Sequence, residues 1–320
     1  MTEAPDLSKL SVAISIATFR RPQGLKALLA SLDAMDLPPD PPAIRIIVTD
    51  NAPEAAATET LGPIDALSRW PVIYTQEPVR GIVAARNRGL DTVPEDVDYV
   101  TSLDDDETVS AGWLIAMLTT METTGAVAAV GPVSPVYEVP PPAWIEKLDI
   151  FRLGPFQQAE ALRFGMTGNC CFRAAFLRQH KLRFDMRFNQ TGGEDEELFF
   201  RIRARGGRVA AAADALVHDS VPAGRLNARW VLKREHRKGN TLTRIALLHG
   251  QGPGLRLVKA FGAIGYGGLL ACSGLIGAPA RRMHGIMQMS RGLGMLRGFL
   301  RLHVAEYSAG AVARDRSAQS

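Results

Sequence analysis

Four consecutive acids, residues 104–107, directly follow an apolar stretch, residues 99–103, that has the composition of a buried strand. Desolvating even one unpaired carboxylate costs several kcal/mol, so a positive group must lie beside them. The alternation of a strand would place Asp104 and Asp106 on one side, about 6 to 7 Å apart, where two oxygen ligands suit a divalent cation that also holds a phosphate. The alternative is an acidic turn that precedes a helix over residues 110–121.

A second group of four acids, residues 194–197, follows Gly192 and Gly193 and begins a helix that stops at Gly206 and Gly207. Taken alone, these acids are typical of an ordinary first turn, where negative charge is favoured. They also offer carboxylates for general base catalysis. Like-charge repulsion would raise the pKa of such a base and the helix N-terminus would lower it, so the sequence leaves the direction open.

The elements that must position these acids alternate between strand and helix. Apolar strands are predicted over residues 11–17, 43–49 and 72–75, and helices over residues 24–35, after Pro22, and 81–90. This order predicts an α/β fold with a doubly wound, mostly parallel, Rossmann-like sheet, whose ligands bind beyond the carboxyl ends of the strands. Thr18, Asp50 and Asp104 all stand at such ends.

The alternation lapses after Gly131 into a proline-rich segment that contains Trp144, and it resumes near residues 166–172. Trp144 suits either a stacking contact with a sugar ring or an anchor for the loop. The run around Gly168 either lets the backbone approach a substrate or is a turn before a strand. A last strand is predicted over residues 208–217, ending in His218, and a lone histidine is structural unless its context argues otherwise.

The charge is unevenly distributed along the chain. Residues 221–320 carry 16 Lys and Arg against three acids, a net of +13, although the whole chain has a formal charge of only +4. Such a basic end suits an anionic membrane surface or a polyanionic substrate. Its aromatic residues are too sparse for a base-stacking surface, so we expect no nucleic-acid partner.

Residues 260–280 carry no charge, and as a helix they would extend about 31 Å, the thickness of one bilayer core. Their six glycines each cost about 1 kcal/mol against alanine in a helix. Two interpretations stay open: a pair of Ala- and Gly-rich helices that packs on the main domain, or a segment that inserts into, or lies on, the inner leaflet.

In order and spacing, these motifs resemble a family 2 glycosyltransferase of the GT-A fold over about residues 11–239. The motifs that carry the resemblance are Ala17-Thr18-Phe19-Arg20-Arg21, Val48-Thr49-Asp50-Asn51, Gly81 with Ala85-Arg86-Asn87-Arg88-Gly89, Leu103-Asp104-Asp105-Asp106, Gly193-Glu194-Asp195 and His218. Trp230-Val231-Leu232-Lys233-Arg234 and the apolar tail are most similar to the bacterial exopolysaccharide type related to succinoglycan biosynthesis enzymes. We therefore expect a catalytic domain over residues 1–240 and a basic, apolar, Gly-rich helical extension over 241–320, which is a candidate membrane anchor.

The resemblance implies a role for each site residue. Asp106, with Asp104 and His218, would hold Mn²⁺ or Mg²⁺ in a DxD motif, while Thr18, Arg20, Asp50, Arg80 and Asp104 would bind the nucleotide. Asp195 would be the general base, and Glu194 and Trp144 would contact the acceptor. Two positions depart from the usual family pattern: Arg20 stands where Asn is common, and Asn51-Ala52-Pro53 replaces Asp/Asn-Gly-Ser.

The expected activity is inverting, metal-dependent transfer of a hexosyl group. The donor would be a nucleotide sugar, with UDP favoured, and the acceptor a saccharide or lipid-linked saccharide at the cytoplasmic face of the inner membrane. A nucleotidyltransferase would show a Gly-rich basic loop after the first strand, which residues 18–22 are not. A non-catalytic sugar-nucleotide or polyanion binder is the other alternative, although such a protein would be expected to lack Asp106 or Asp195. Dehydrogenases are disfavoured because no G-x-G-x-x-G follows the first strand.

Overall fold

The computed structural model describes residues 5–300. The first four residues of the predicted domain 1–240 and the last twenty of the predicted extension 241–320 lie outside this range. The strands are β1 (Ser11–Thr18), β2 (Ala43–Asp50), β3 (Val72–Gln76), β4 (Tyr99–Asp104), β5 (Glu107–Val109), β6 (Ala128–Val130), β7 (Val133–Tyr137), β8 (Asn169–Arg173), β9 (Val209–Ala211) and β10 (Val217–Val221). The helices are α1 (Pro22–Asp33), α2 (Ala56–Leu61), α3 (Ile82–Thr92), α4 (Trp113–Thr124), α5 (Ala143–Leu148), α6 (Ala174–Gln179), α7 (Glu194–Ala204), α8 (Ala228–Leu248), α9 (Pro253–Ser273) and α10 (Pro279–Phe299).

The main sheet has seven strands in the order β3-β2-β1-β4-β8-β6-β9. Only β8 runs antiparallel to its neighbours, so the predicted doubly wound, mostly parallel sheet is confirmed. The registers place Thr18 opposite Asp50 and Ala17 opposite Asp104. The carboxyl ends of β1, β2 and β4 therefore meet at one edge of the sheet. A second sheet has the order β5-β10-β7.

The hydrophobic core forms because β1, β2 and β4 are apolar on the face that the helices cover. Ile14 and Ile16 of β1 share a fully buried cluster with Leu25, Leu28 and Leu29, which lie at helical spacing on one face of α1. Pro22 begins α1, where its fixed φ suits the first turn. This packing fixes the strand ends on which the polar residues stand.

Three details differ from the sequence predictions. The segment predicted as one strand over residues 208–217 forms two, β9 and β10, and His218 lies inside β10 rather than after a strand. The proline-rich segment contains β7 and α5. The uncharged residues 260–280 do not form a single helix, because α9 ends at Ser273 and Gly277 adopts a φ of +68° before Pro279 begins α10.

The chain divides into two units. The first comprises the described residues of Met1–Val136, Arg152–Asn189 and Glu194–Ser220, and the second those of Tyr137–Phe151, Gln190–Gly193 and Val221–Ser320. Within the second unit, Trp144 packs with Tyr137 and Trp230 around a core of Ile145, Phe151, Val221 and Leu226. The predicted boundary at residue 240 stays a prediction.

Glycines let α10 pack closely against α8, and this packing can be tested. A side chain at Gly294 would collide with the backbone carbonyl of His236. We expect Gly294→Ala to destabilise the protein by about 1–3 kcal/mol, as overpacking does. Gly265→Ala is the matched control, because its added methyl group meets no atom of the described residues within 4 Å and should stabilise α9 by about 0.5–1 kcal/mol. Urea unfolding measures both, and equal midpoints would contradict this packing.

Candidate active site

The acidic turn after β4 does not continue the strand. β4 ends at Asp104, residues 105 and 106 form a turn, and β5 begins at Glu107. Strand alternation therefore does not relate Asp104 to Asp106, because the strand that the sequence predicts to continue ends at Asp104. The side chain of Asp104 is 35% exposed and that of Asp106 is 18% exposed, so both reach the surface of the first unit.

Asp105 is a buried anchor of this turn. Its carboxylate accepts hydrogen bonds from Thr18 Oγ1 at 2.9 Å and from the backbone N–H of Phe19 at 3.1 Å. Arg21 pairs with Asp105 at 3.2 Å and with Asp106 at 2.5 Å. Burial raises the pKa of Asp105 to about 6 against the opposing charge of Arg21. No role was predicted for Arg21 from the sequence, although the acids at residues 104–107 require a positive partner.

Glu107 supports the turn from inside. It is 5% exposed and accepts a hydrogen bond from the backbone N–H of Asp104 at 2.8 Å. Burial raises its pKa well above the usual range, and the charge of Asp104 adds to this effect. A Cβ at Gly168 would meet Glu107 Oε1 at 2.5 Å and Asp104 Oδ2 at 3.2 Å, so the residue facing these acids has to be small.

Arg86 of α3 joins the two acidic groups that the sequence presents separately. Its Nη2 lies 2.7 Å from Asp104 Oδ1, and its Nη1 lies 2.5 Å from Glu194 Oε1. Both Arg86 and Glu194 are buried, at 7% and 4% exposure. The acidic turn and the N-terminus of α7 therefore form one site. Arg86 occurs in a motif of the family resemblance, but no role was predicted for it.

Asp195 follows Glu194 in the first turn of α7, and its Oδ1 accepts a hydrogen bond from the N–H of Glu196 at 2.8 Å. Burial raises the pKa of both Glu194 and Asp195, while Arg86 opposes the shift. The direction that the sequence left open is therefore upward. Glu194 Oε2 and Arg86 Nε are buried and have no hydrogen-bond partner among the described residues, which is uncommon for buried polar atoms.

Arg20 and Arg80 both lie over the ring of Phe19, with their guanidinium carbons 5.3 and 5.2 Å from its centroid. Arg20 also pairs with Glu54. Its φ of +56° lies in the left-handed region, a conformation that Asn adopts more readily than Arg. The two arginines place positive charge beyond the end of β1.

Asp50 is fully buried at the end of β2. It accepts hydrogen bonds from the backbone N–H groups of Ala52 and Ala57 at 2.9 and 3.1 Å and from Tyr74 Oη at 3.0 Å. These contacts organise the loop after β2. The base contact implied for Asp50 stays a prediction.

His218 and Trp144 are the predicted site residues that these contacts do not include. His218 of β10 lies opposite Thr108 of β5. Thr108 is two residues after Asp106 in the chain. Trp144 belongs to the second unit. Residues 5–300 contain no group of three or more His, Cys, Asp and Glu side chains arranged to hold a metal. However, Mg²⁺ is commonly held by one or two carboxylates together with substrate phosphates, and Asp104 and Asp106 fit that chemistry.

Comparisons with known proteins agree with this architecture. The family described as glycosyl transferase family 2 matches residues 13–183. The succinoglycan biosynthesis protein ExoM of Rhizobium meliloti (strain 1021) is 33% identical over 304 residues, which cover 94% of this chain and 96% of that protein.

Solved structures of S. aureus TarS 1–349 share the fold. The form in complex with UDP has a TM-score of 0.53 at 12% identity, covering 94% of this chain and 98% of that one. The form in complex with UDP-GlcNAc has a TM-score of 0.52 at 14% identity, covering 90% and 92%.

Proposed function

This chain belongs to glycosyl transferase family 2, and we propose that it transfers a sugar, with inversion, from a UDP-linked donor to a saccharide or lipid-linked saccharide. The observation that carries this proposal is the pairing of Arg86 with both Asp104 and Glu194. Arg86 links two parts of the site. One is Asp104, a carboxylate suited to the cation that accompanies a donor diphosphate, and the other is the start of α7, which offers a general base.

We propose that the donor nucleotide binds along the ends of β1, β2 and β4. Thr18, Asp50 and Asp104 stand at these ends. Arg20 and Arg80 supply positive charge beside them, which suits the phosphates of a nucleotide. The choice of UDP is supported by the TarS structures that hold UDP and UDP-GlcNAc.

We propose that Asp104 and Asp106 hold Mn²⁺ or Mg²⁺ together with the phosphates of the donor, and that His218 contacts the metal or a phosphate once the donor is bound. A bound divalent cation would offset the charge that builds on the leaving nucleoside diphosphate. Arg86 pairs with Asp104, and Arg21 pairs with Asp106. These two cations reduce the negative charge that an approaching diphosphate would meet at the acidic turn.

Asp195 is proposed as the general base. Inverting transfer needs a carboxylate within hydrogen-bond reach of the acceptor hydroxyl, on the face opposite the leaving group. Burial raises the pKa of Asp195. This shift brings the pKa closer to neutral pH, and a general base is most effective when its pKa is near the working pH. Glu194 and Trp144 are proposed to contact the acceptor.

We further propose that the acceptor belongs to exopolysaccharide biosynthesis at the cytoplasmic face of the inner membrane. This is supported by the similarity to ExoM, a succinoglycan biosynthesis protein. It is also supported by α9, a helix of 21 residues that by length and composition could cross a membrane and that is mostly exposed.

The proposed activity can be tested without knowing the acceptor, because water can accept the sugar slowly. Purified protein incubated with Mn²⁺ and, separately, UDP-glucose, UDP-galactose and UDP-GlcNAc should release UDP from at least one of them. Asp195→Asn should release much less from that donor. If nucleotide sugars of every base are bound but none is cleaved by either protein, even with membrane extract added, a non-catalytic sugar-nucleotide binder is the better interpretation.

Asp106→Ala should remove the metal dependence of donor binding. The unaltered protein is expected to bind UDP more tightly in Mn²⁺ than in EDTA, and the variant should lose at least about 10- to 100-fold of that affinity, the loss typical of weakened metal sites. Calorimetric titration measures both. Asp149→Ala, which changes an exposed acid in the second unit, is the control. An Asp106→Ala variant that retains full Mn²⁺-dependent binding would contradict the assignment.

A further inference from the structure

The outer face of α9 carries large apolar side chains that remain exposed among residues 5–300. Val258, Phe261 and Leu269 are 68%, 62% and 74% exposed, and they lie on one face at helical spacing. In the loop that follows, Leu275 and Ile276 are 62% and 93% exposed. A continuous apolar surface of this kind marks an interaction site.

The opposite face of α9 packs on α10 through glycines. A Cβ at Gly267 would meet the carbonyl oxygen of Gly285 at 2.6 Å, and one at Gly292 would meet that of Ala260 at 2.7 Å. The other side of α10 packs equally closely on α8, where Gly239 faces the backbone of Arg291. The three helices are therefore layered, with α10 in the middle and α9 outermost.

The layer behind α9 and α10 is strongly charged. The charged residues in the first half of α8 are Arg229, Lys233, Arg234, Glu235, Arg237 and Lys238. Glu235 is 4% exposed and pairs with Arg291 of α10, whose Nε lies 2.7 Å from its Oε2. If α9 and α10 crossed a bilayer as a hairpin, this ion pair and α8 would be drawn into hydrocarbon, at a high cost in free energy. Crossing would also move Arg281 and Arg282 through the bilayer.

The charge of residues 249–300 indicates what kind of partner binds the exposed face of α9. Residues 249–300 contain no acid. Lys259, near the start of α9, is exposed, as are Arg281 and Arg282 just beyond the loop. Apolar side chains flanked by cations at both ends match a leaflet of anionic lipids, which attracts basic residues at its surface.

We propose that α9 lies in the plane of an anionic lipid leaflet, with Phe261, Leu269 and Ile276 buried among the headgroups and upper acyl chains, and that it does not cross the bilayer. Lys259 of α9 and Arg281 and Arg282 at the start of α10 contact lipid phosphates. This inference specifies the membrane location proposed above and does not depend on the transfer reaction.

Vesicle sedimentation tests the surface. The full chain should bind phosphatidylcholine vesicles containing phosphatidylglycerol at least about tenfold more tightly than pure phosphatidylcholine vesicles. The double variant Phe261→Ser, Leu269→Ser should bind vesicles about tenfold or more weakly, because each substitution removes an apolar side chain that would be buried in the lipid. Leu293→Ser, at a 51% exposed position of α10, is the matched control and should bind as the unaltered protein does. Equal binding of all three proteins would overturn the proposal.

The depth of labels in the bilayer distinguishes an α9 that lies in the leaflet from an α9 that crosses the bilayer. Cys272 is exposed on α9, whereas Cys170 and Cys171 are buried, so a fluorophore can be attached to Cys272 directly. Labels can also be placed through Val258→Cys and Gly265→Cys in a Cys272→Ser background. Lipid-borne quenchers near the headgroups should quench all three labels more than quenchers deep in the acyl chains. Deep quenching of the label at residue 265 alone would show a crossing helix and overturn the proposal.

A second copy of the chain is the competing occupant. If Phe261→Ser with Leu269→Ser abolished self-association in solution while vesicle binding stayed unchanged, the face would be a protein interface and the proposal would fail. UDP titration of the same variants keeps this test independent of the transferase assignment. Normal UDP binding without vesicle binding would overturn only the membrane inference, whereas vesicle binding without UDP binding would leave it intact.

Discussion

Replacing Asp195 with asparagine should lower the turnover of sugar transfer by about 10²- to 10⁴-fold, the contribution of a well-placed general base. Asparagine is close in size and still accepts the hydrogen bond that Asp195 accepts from the N–H of Glu196, so the helix start should persist. It cannot take the acceptor proton at neutral pH. Binding of UDP should be unchanged, because the change is made on α7 rather than at the ends of β1, β2 and β4.

The control variant is Glu196→Gln, which changes the next acid in the same first turn of α7. It changes the local charge by the same amount and should retain most of the activity. Equal losses in Asp195→Asn and Glu196→Gln would mean that the negative first turn matters as a whole. Equal losses of UDP binding and transfer in Asp195→Asn would contradict the division between donor residues and base.

Arg86→Met should cause the largest loss of stability of any substitution considered, about 3–5 kcal/mol, the range for breaking a buried ion pair. The substitution leaves Glu194, which is 4% exposed, without a positive partner. Asp104 loses its partner as well. Thermal unfolding of the purified variants should show a clearly lower midpoint for Arg86→Met.

Arg88→Met is the matched control on the same helix. Its side chain is exposed and makes one hydrogen bond, from Nε to Thr75 Oγ1, so we expect a change within about 0.5 kcal/mol. Adding Glu194→Gln to Arg86→Met should recover part of the lost stability, because it removes the unpaired charge. Identical unfolding midpoints for Arg86→Met and Arg88→Met would refute the bridging role of Arg86.

Much of the fold could be predicted because the central strands are buried on both faces. The continuous apolar runs of β1, β2 and β4 can be recognised without knowledge of their partners. Thr18 and Asp50 are the polar residues at which β1 and β2 end, and they could be identified once these apolar runs were recognised. The fold class and the meeting of the strand ends were therefore accessible from sequence.

The ionic partners were less accessible, because they come from distant parts of the chain. Arg21 and Arg86 reach the acidic turn only once α1 packs against β5 and α3 packs against β1 and β2. The need for positive charge near residues 104–107 was a physical necessity, and both arginines lie in motifs of the family resemblance, yet sequence spacing did not show that they pair with these acids. The upward direction of the Asp195 pKa likewise depends on burial, which sequence spacing does not reveal.

The remaining differences have local causes. Extending strand alternation beyond Asp104 failed because a two-residue turn interrupts the strand. The Ala-rich stretch at residues 210–213 has no periodicity that would mark the end of β9. In residues 260–280 the stop was encoded by Gly274, Gly277 and Pro279, and their effect outweighs the apolar composition of the segment.

The proposed donor site is tested most directly by calorimetric titration of the unaltered protein with UDP, in Mn²⁺ and again in EDTA. We expect one binding site per chain and an affinity at least about tenfold higher with Mn²⁺. GDP and ADP should bind more weakly under the same conditions. The absence of binding by UDP and by the other nucleotides, in a preparation shown to be folded, would contradict a nucleotide-sugar glycosyltransferase.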